Sequence, residues 1–209
     1  MKNIRVWEIA LAAGVVCAVI CGAWASSAQS SLSDKLVRLH VVANSDAEHD
    51  QELKRRVRDG VLEAARPLIA EAGGADAAAL ALENGLPYLQ RAAREEIERL
   101  GYAYPVTAEL AYEDFPTREY DGFSIPAGRY RALRVTIGQG AGRNWWCVVF
   151  PPLCDAAAAP PAARARAIAD AAVKAGLSDA DALLIAEQDG IKLKFRCVEL
   201  WQELRRLFR

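Results

Sequence analysis

"LVRLHVVANSDAEHDQELKRRVRDGVL", residues 36–62, decides the fold. Its first eight residues are mostly β-branched or apolar. Val37, Leu39 and Val41 alternate with Leu36, Arg38, His40 and Val42, which predicts a strand with one face fully buried and the other mixed. The strand stops at Asn44-Ser45-Asp46. Ser45 and Glu48 then have capping-box spacing, so a helix is expected to begin there. Leu53, Val57, Val61 and Leu68 fall on one helical face, with Lys54, Arg55, Arg56 and Arg58 on the other sides. Pro67 should break or kink this helix, and Gly73-Gly74 should end the segment.

Downstream, a second helical region follows Asp76. It is weak up to Gly85 and strong from Leu86, with Leu89, Ala93, Ile97 and Leu100 as the buried stripe and Gly101 as the stop. The period then changes. Strands are expected from Val106 to Phe115, from Tyr130 to Ile137 with Leu133, Val135 and Ile137 on one face, and from Trp145 to Phe150. The stretch PTREYDGFSIPAG between the first two has the composition of a long hairpin loop. GQGAG, residues 138–142, reads as a hairpin turn. A phosphate-binding glycine loop would need a helix N-terminus after it, and a strand follows instead.

Residues 155–167, DAAAAPPAARARA, read as an Ala-rich linker. A helical stretch over about 162–187, broken near Gly176 with Ser178 as a new cap, comes next. Asp189-Gly190 is a turn signal, residues 191–197 alternate as a strand, and residues 200–208 form an amphipathic helix. Helices early and antiparallel strands late give an α+β fold, with the helices packed on a mainly antiparallel sheet. The expected division is 1–30 as export segment, 34–154 as the main domain, and 155–209 as linker plus a helix-strand-helix segment packed on it.

Upstream, Lys2 and Arg5 precede a seventeen-residue run without a charge, residues 9–25. Ala23-Trp24-Ala25 fits a small-residue cleavage site, so a secretory signal peptide is expected, or a retained membrane anchor. Either places the bulk of the chain outside the cytoplasm. The formal net charge of −1 argues against a nucleic-acid partner.

Chemistry-bearing residues are sparse. His40 and His49 are the only two histidines, too few for a zinc cluster, and no metal or cofactor is expected. A set of Cys147, His40 and Asn44 is formally a nucleophile, base and orienting group, but Cys147 lies between two tryptophans and a second cysteine, so no catalytic residue is assigned. Of the five cysteines, Cys17 and Cys21 lie in the export segment. Outside the cytoplasm, Cys147 and Cys154 are expected to form a disulfide, because Pro151-Pro152 can reverse the chain between them. Two buried thiols or a reactive pair are the alternatives, and Cys197 is a competing partner. Adjacent strand residues face opposite ways, so one of Trp145 and Trp146 should be buried. The other is either covered or left as an exposed anchor beside the prolines.

Residues 36–62, FPTREYDGFSIPAGRYRALRVTIGQGAGRNWWCVVFPPLC at 115–154, and their spacing closely resemble the stage II sporulation protein R family of endospore-forming bacteria. The likeness runs over about residues 34–154, and Cys197 is an addition. The resemblance implies a non-enzymatic signalling protein, exported from the forespore into the space between the two membranes that divide the sporangium. There it would activate a membrane-embedded aspartic protease of the mother cell, which cleaves the sigma-E precursor. Trp145 or Trp146 with Pro151 and Pro152 are the candidate contact, Cys147–Cys154 the staple, and His40, Asn44 and Asp46 a second candidate patch. An extracytoplasmic hydrolase and a cell-envelope binding module are the alternatives.

Overall fold

The computed structural model describes residues 32–178 apart from 121 and 122, together with residues 8, 10–16, 181 and 185. Strand β1 (Val37–Val42) leads into helix α1 (Glu48–Ile69), followed by α2 (Ala75–Asn84) and α3 (Leu86–Arg99). Then come β2 (Val106–Phe115), the short β3 (Arg118–Tyr120) and β4 (Phe123–Ile125), β5 (Gly128–Ile137) and β6 (Asn144–Phe150). Helices α4 (Leu153–Ala158) and α5 (Pro161–Lys174) close the described chain. The fold is α+β, with the long helices early, as the sequence predicts.

The main sheet has the order β2-β5-β1-β6. β2 with β5 and β1 with β6 pair antiparallel, whereas the central pair, β1 with β5, is parallel. β3 and β4 form a separate two-stranded hairpin, so the long loop between β2 and β5 carries structure of its own. GQGAG is not a hairpin turn. β5 and β6 flank β1 on opposite sides, and the glycine loop crosses the end of β1 to join them.

The side-chain alternation of β1 sorts two cores. Val37, Leu39 and Val41 point to the helix side, where they meet Leu53, Val57 and Val61 of α1, Leu89, Ala93 and Ile97 of α3, and Leu133, Val135 and Ile137 of β5. On the other side Leu36, Phe115, Tyr130, Ala132 and Val148 pack with Phe123 and Ile125 of the hairpin and with Leu153, Ala156, Ile168 and Ala171. The Ala-rich stretch at 155–167 forms the end of α4 and the start of α5, with Ala156 buried in the second core and Ala167 half-buried against it.

Three local expectations also change. The capping box at Ser45 and Glu48 does not form: α1 starts at Glu48 with Ala47 as its N-cap, because Ser45 bonds Asp50 instead. Pro67 does not break α1, which runs on to Ile69. In the last turn proline forfeits only one backbone donor. Leu100 ends α3 and is 37% exposed, while Leu89, Ala93 and Ile97 are fully buried. The weak region before Gly85 is a helix, burying Ala78, Ala79 and Leu82. Ser178 caps as expected: its hydroxyl accepts from the Asp181 amide at 3.2 Å, and the Asp181 carboxylate accepts from the Ser178 amide at 2.9 Å. The turn at 189–190, the strand at 191–197, Cys197 and the helix at 200–208 lie outside the described residues.

Residues 10–16 are helical and leave Leu11, Val15 and Val16 more than half exposed. Among the described residues no helix is long and apolar enough to cross a membrane.

Candidate partner-binding face

At the C-terminal end of β1, the Asn44-Ser45-Asp46 turn grips the glycine loop. The Asn44 side-chain oxygen accepts from the Gln139 amide at 3.0 Å, and the Asp46 carboxylate accepts from the Arg143 amide at 2.7 Å. The carbonyls of Ala43 and Asn44 accept from the amides of Gly142 and Ala141. Gly138 has φ +58°, and a Cβ there would collide with the Asn44 carboxamide; one at Gly142 would strike the Ser45 carbonyl. Beneath the turn lies Asp50, 1% exposed, which accepts from Asn44 Nδ2 at 2.8 Å and Ser45 Oγ at 2.6 Å. Burial alone would raise the Asp50 pKa; the bonds from Ser45, Asn44 and Tyr104 outweigh it and hold the carboxyl below its ordinary value. Lys54 donates to Gln51 Oε1 and to the Arg143 carbonyl, and burial, with Arg143 nearby, lowers its pKa. The polar atoms of Asn44 and Asp46 are thus engaged in closing the chain on itself.

The tryptophans face opposite ways, as strand geometry requires, but neither is buried. Trp145 turns toward α1 and is 36% exposed, with the Arg58 guanidinium 4.2 Å from its ring centre. Arg58 is itself paired with Asp59 at 2.6 Å. Trp146 turns to the other side and is half-buried against Phe115 and His40, with ring centres 6.1 and 5.7 Å away. The Arg118 guanidinium stacks 3.9 Å over it.

Below this stack sits Arg38, fully buried. Its Nε donates to the Cys147 carbonyl at 2.8 Å and its Nη2 to the Tyr120 hydroxyl at 2.9 Å, which in turn donates to the Trp146 carbonyl at 3.0 Å. The guanidinium lies over the rings of Phe115 and Tyr130, 4.3 and 5.1 Å from their centres. It makes no ion pair among the described residues, and Nη1 has no partner there. Burial pushes the Tyr120 and Tyr130 phenols up, so both are neutral and neither balances the cation. Burial and the neighbouring Arg38 charge lower the pKa of Arg118, which still carries its charge.

His40, two residues along on the same face of β1, donates from Nδ1 to Glu113 Oε2 at 2.6 Å. Glu113 also accepts from Arg134 at 3.3 Å. Burial would raise the Glu113 pKa, but the His40 bond and Arg134 take it below its usual value. His40 Nε2 is buried without a partner among the described residues. His40 therefore joins Trp146, not Asn44 and Asp46, so the two sequence-predicted patches divide along different lines.

Cys147 and Cys154 form a disulfide, with Cα atoms 6.0 Å apart. Pro151 is buried behind a cis Phe150–Pro151 bond, and half-buried Pro152 is the N-cap of α4. The prolines turn the chain from β6 into α4, and the disulfide ties that corner. Sequence reading missed Arg38, Glu113, Arg118 and Tyr120. Among these four, the arginine in the middle of an apolar strand is the signal that could have been read.

Residues 33–159 match the family described as stage II sporulation protein R. This chain belongs to the stage II sporulation protein R family. The match takes in β1–β6 and α1–α4, and with them both tryptophans, Arg38, Arg118 and the disulfide. The stage II sporulation protein R of Bacillus subtilis (strain 168) is 37% identical over 123 residues, covering 59% of this chain and 55% of that protein. The chain therefore spans about half the length of this curated relative. No solved structure matches. Membership in the stage II sporulation protein R family supports a role in sporulation, and the relative's name is not that of an enzyme.

Proposed function

We propose that this protein is an exported signal of endospore formation that activates a membrane-embedded aspartic protease, which then cleaves the sigma-E precursor in the mother cell. The observation that carries this is the family match over residues 33–159. Export is supported by the uncharged run at 9–25 behind Lys2 and Arg5, and by a helix at 10–16 that leaves its leucine and valines uncovered. The Cys147–Cys154 bond is the chemistry of an oxidising compartment.

Activation is allosteric in this scheme. The signal must bind the active arrangement of the protease more tightly than the inactive one, since only differential affinity shifts an equilibrium. The surface it offers includes Trp145 and Trp146, held on opposite faces of β6. The test is co-expression of the protease and its sigma-E precursor with and without this chain, scoring cleavage on a gel. Cleavage that requires the chain supports the proposal; cleavage indifferent to it overturns the proposal.

A further inference from the structure

Resting on that function, we infer that the Trp146 side of β6 is the receptor-binding side, and that its occupant is a carboxylate-bearing segment of the protease's exported portion.

The two Trp–Arg stacks differ in charge balance. On the Trp145 side, Arg58 is neutralised by Asp59 at 2.6 Å. On that same side Arg55 and Arg56 share Glu52, and Arg143 reaches Asp46 at 3.5 Å. On the Trp146 side, Arg118 is exposed, stacks on the indole and makes no ion pair among the described residues. Directly behind it Arg38 holds a second guanidinium, fully buried, with Nη1 unbonded and no carboxylate against it. The groups that touch Arg38 are a carbonyl, a neutral phenol and two aromatic rings. On this face Glu113 is already shared by His40 and Arg134, and Glu109 lies 3.9 Å from Arg134.

A buried cation is normally paired, because removing its hydration is costly. Arg38 projects an uncancelled positive field through low-dielectric aromatic walls to the surface where Arg118 lies. Arg118 presents a planar fork of donors, pre-set by stacking on Trp146, which matches a carboxylate in two parallel hydrogen bonds. An approaching Asp or Glu side chain therefore meets an oriented fork and an unbalanced charge together, beside an aromatic anchor. That combination is what interface hot spots are built from.

The experiment measures binding of the purified full chain to the detergent-solubilised protease, alongside cleavage in the co-expression assay. Arg118→Gln should weaken binding about tenfold and Arg118→Glu about a hundredfold, while Arg58→Glu stays within about threefold of wild type. Raising salt from about 50 to 300 mM should weaken the wild type and leave Arg118→Gln almost flat. Melting temperatures separate misfolding from lost contact; should Arg118→Glu unfold, the uncharged Arg118→Gln decides. The inference is overturned if both Arg118 variants bind like wild type. It is equally overturned if Arg58→Glu loses more than Arg118→Glu. Arg118-dependent binding to anionic lipid vesicles, with protease binding unchanged, would assign the site to a membrane and also overturn it. A wild-type chain that neither binds nor triggers cleavage removes the proposed function itself, and this inference with it.

Discussion

The two faces of the four-stranded sheet are built on opposite principles. The helix-side face is largely apolar: Val37, Leu39 and Val41 meet α1 and α3, and Arg131, which points the same way, is paired with Asp76 of α2. The other face carries Arg38, His40, Glu113 and Arg134 among its aromatics. A face that only has to stabilise can be made of interchangeable apolar groups. A face that holds a buried cation without a counter-charge costs stability, and the proposed receptor contact lies on that face. The contrast can be broken by variants that should separate stability from signalling.

The largest expected effect falls on the helix side. Ile97 is fully buried in α3, and Ile97→Ala should cost about 3 kcal/mol from lost transfer energy and the cavity left behind. Denaturant titration reads the loss. Cleavage per folded molecule should be unchanged, and a change there would undo the division of labour between the faces.

Next comes the corner where the two faces are tied. Replacing Cys147 and Cys154 by serine together opens a loop of sequence separation 7, worth about 2–3 kcal/mol on the chain-entropy model. Its midpoint should fall to that of the wild type under reductant. A wild type insensitive to reductant would show that packing of α4, not the bond, holds the corner.

A smaller loss is expected at the end of β1. Asn44→Ala removes the acceptor for the Gln139 amide and one donor to Asp50, costing about 1–2 kcal/mol. Signalling per folded molecule should again be retained. Loss of signalling at full stability would return Asn44 to the contact surface.

The element types were legible because their periods are strong. All four strands of the main sheet and the Leu89, Ala93 and Ile97 stripe of α3 follow from alternation or helical spacing. Two kinds of feature were not. Adjacency in the sheet is set by where the chain crosses, so the glycine loop passes for a hairpin turn until β1 is seen between β5 and β6. The charge balance of the Trp146 face depends on Arg38 and His40 being brought together with residues 113, 118 and 120, which lie far from them in sequence and reach them only by folding. The sequence also named Trp146 and His40 without any means of seeing that they touch.

The smallest effect tests how far the mixed face is stabilised by its own network. Glu113 accepts from His40 and Arg134, and Glu113→Gln should cost about 1 kcal/mol at neutral pH. Its folded pKa lies below the ordinary 4.5: burial acts upward, and the His40 bond and Arg134 overcome it. A carboxyl depressed by folding binds fewer protons in the native state than in the unfolded one, so its stabilisation rises with pH. That contribution is complete above the unfolded value and disappears as pH falls through the folded one. The stability gap between wild type and Glu113→Gln should therefore be constant above about pH 5.5 and close below it. Arg134 also lies 3.9 Å from Glu109, so Glu109→Gln is the control, expected to change little because that pair is exposed. A gap that widens on acidification would mean burial dominates at Glu113, and the network of His40 and Arg134 would lose its place in holding Trp146.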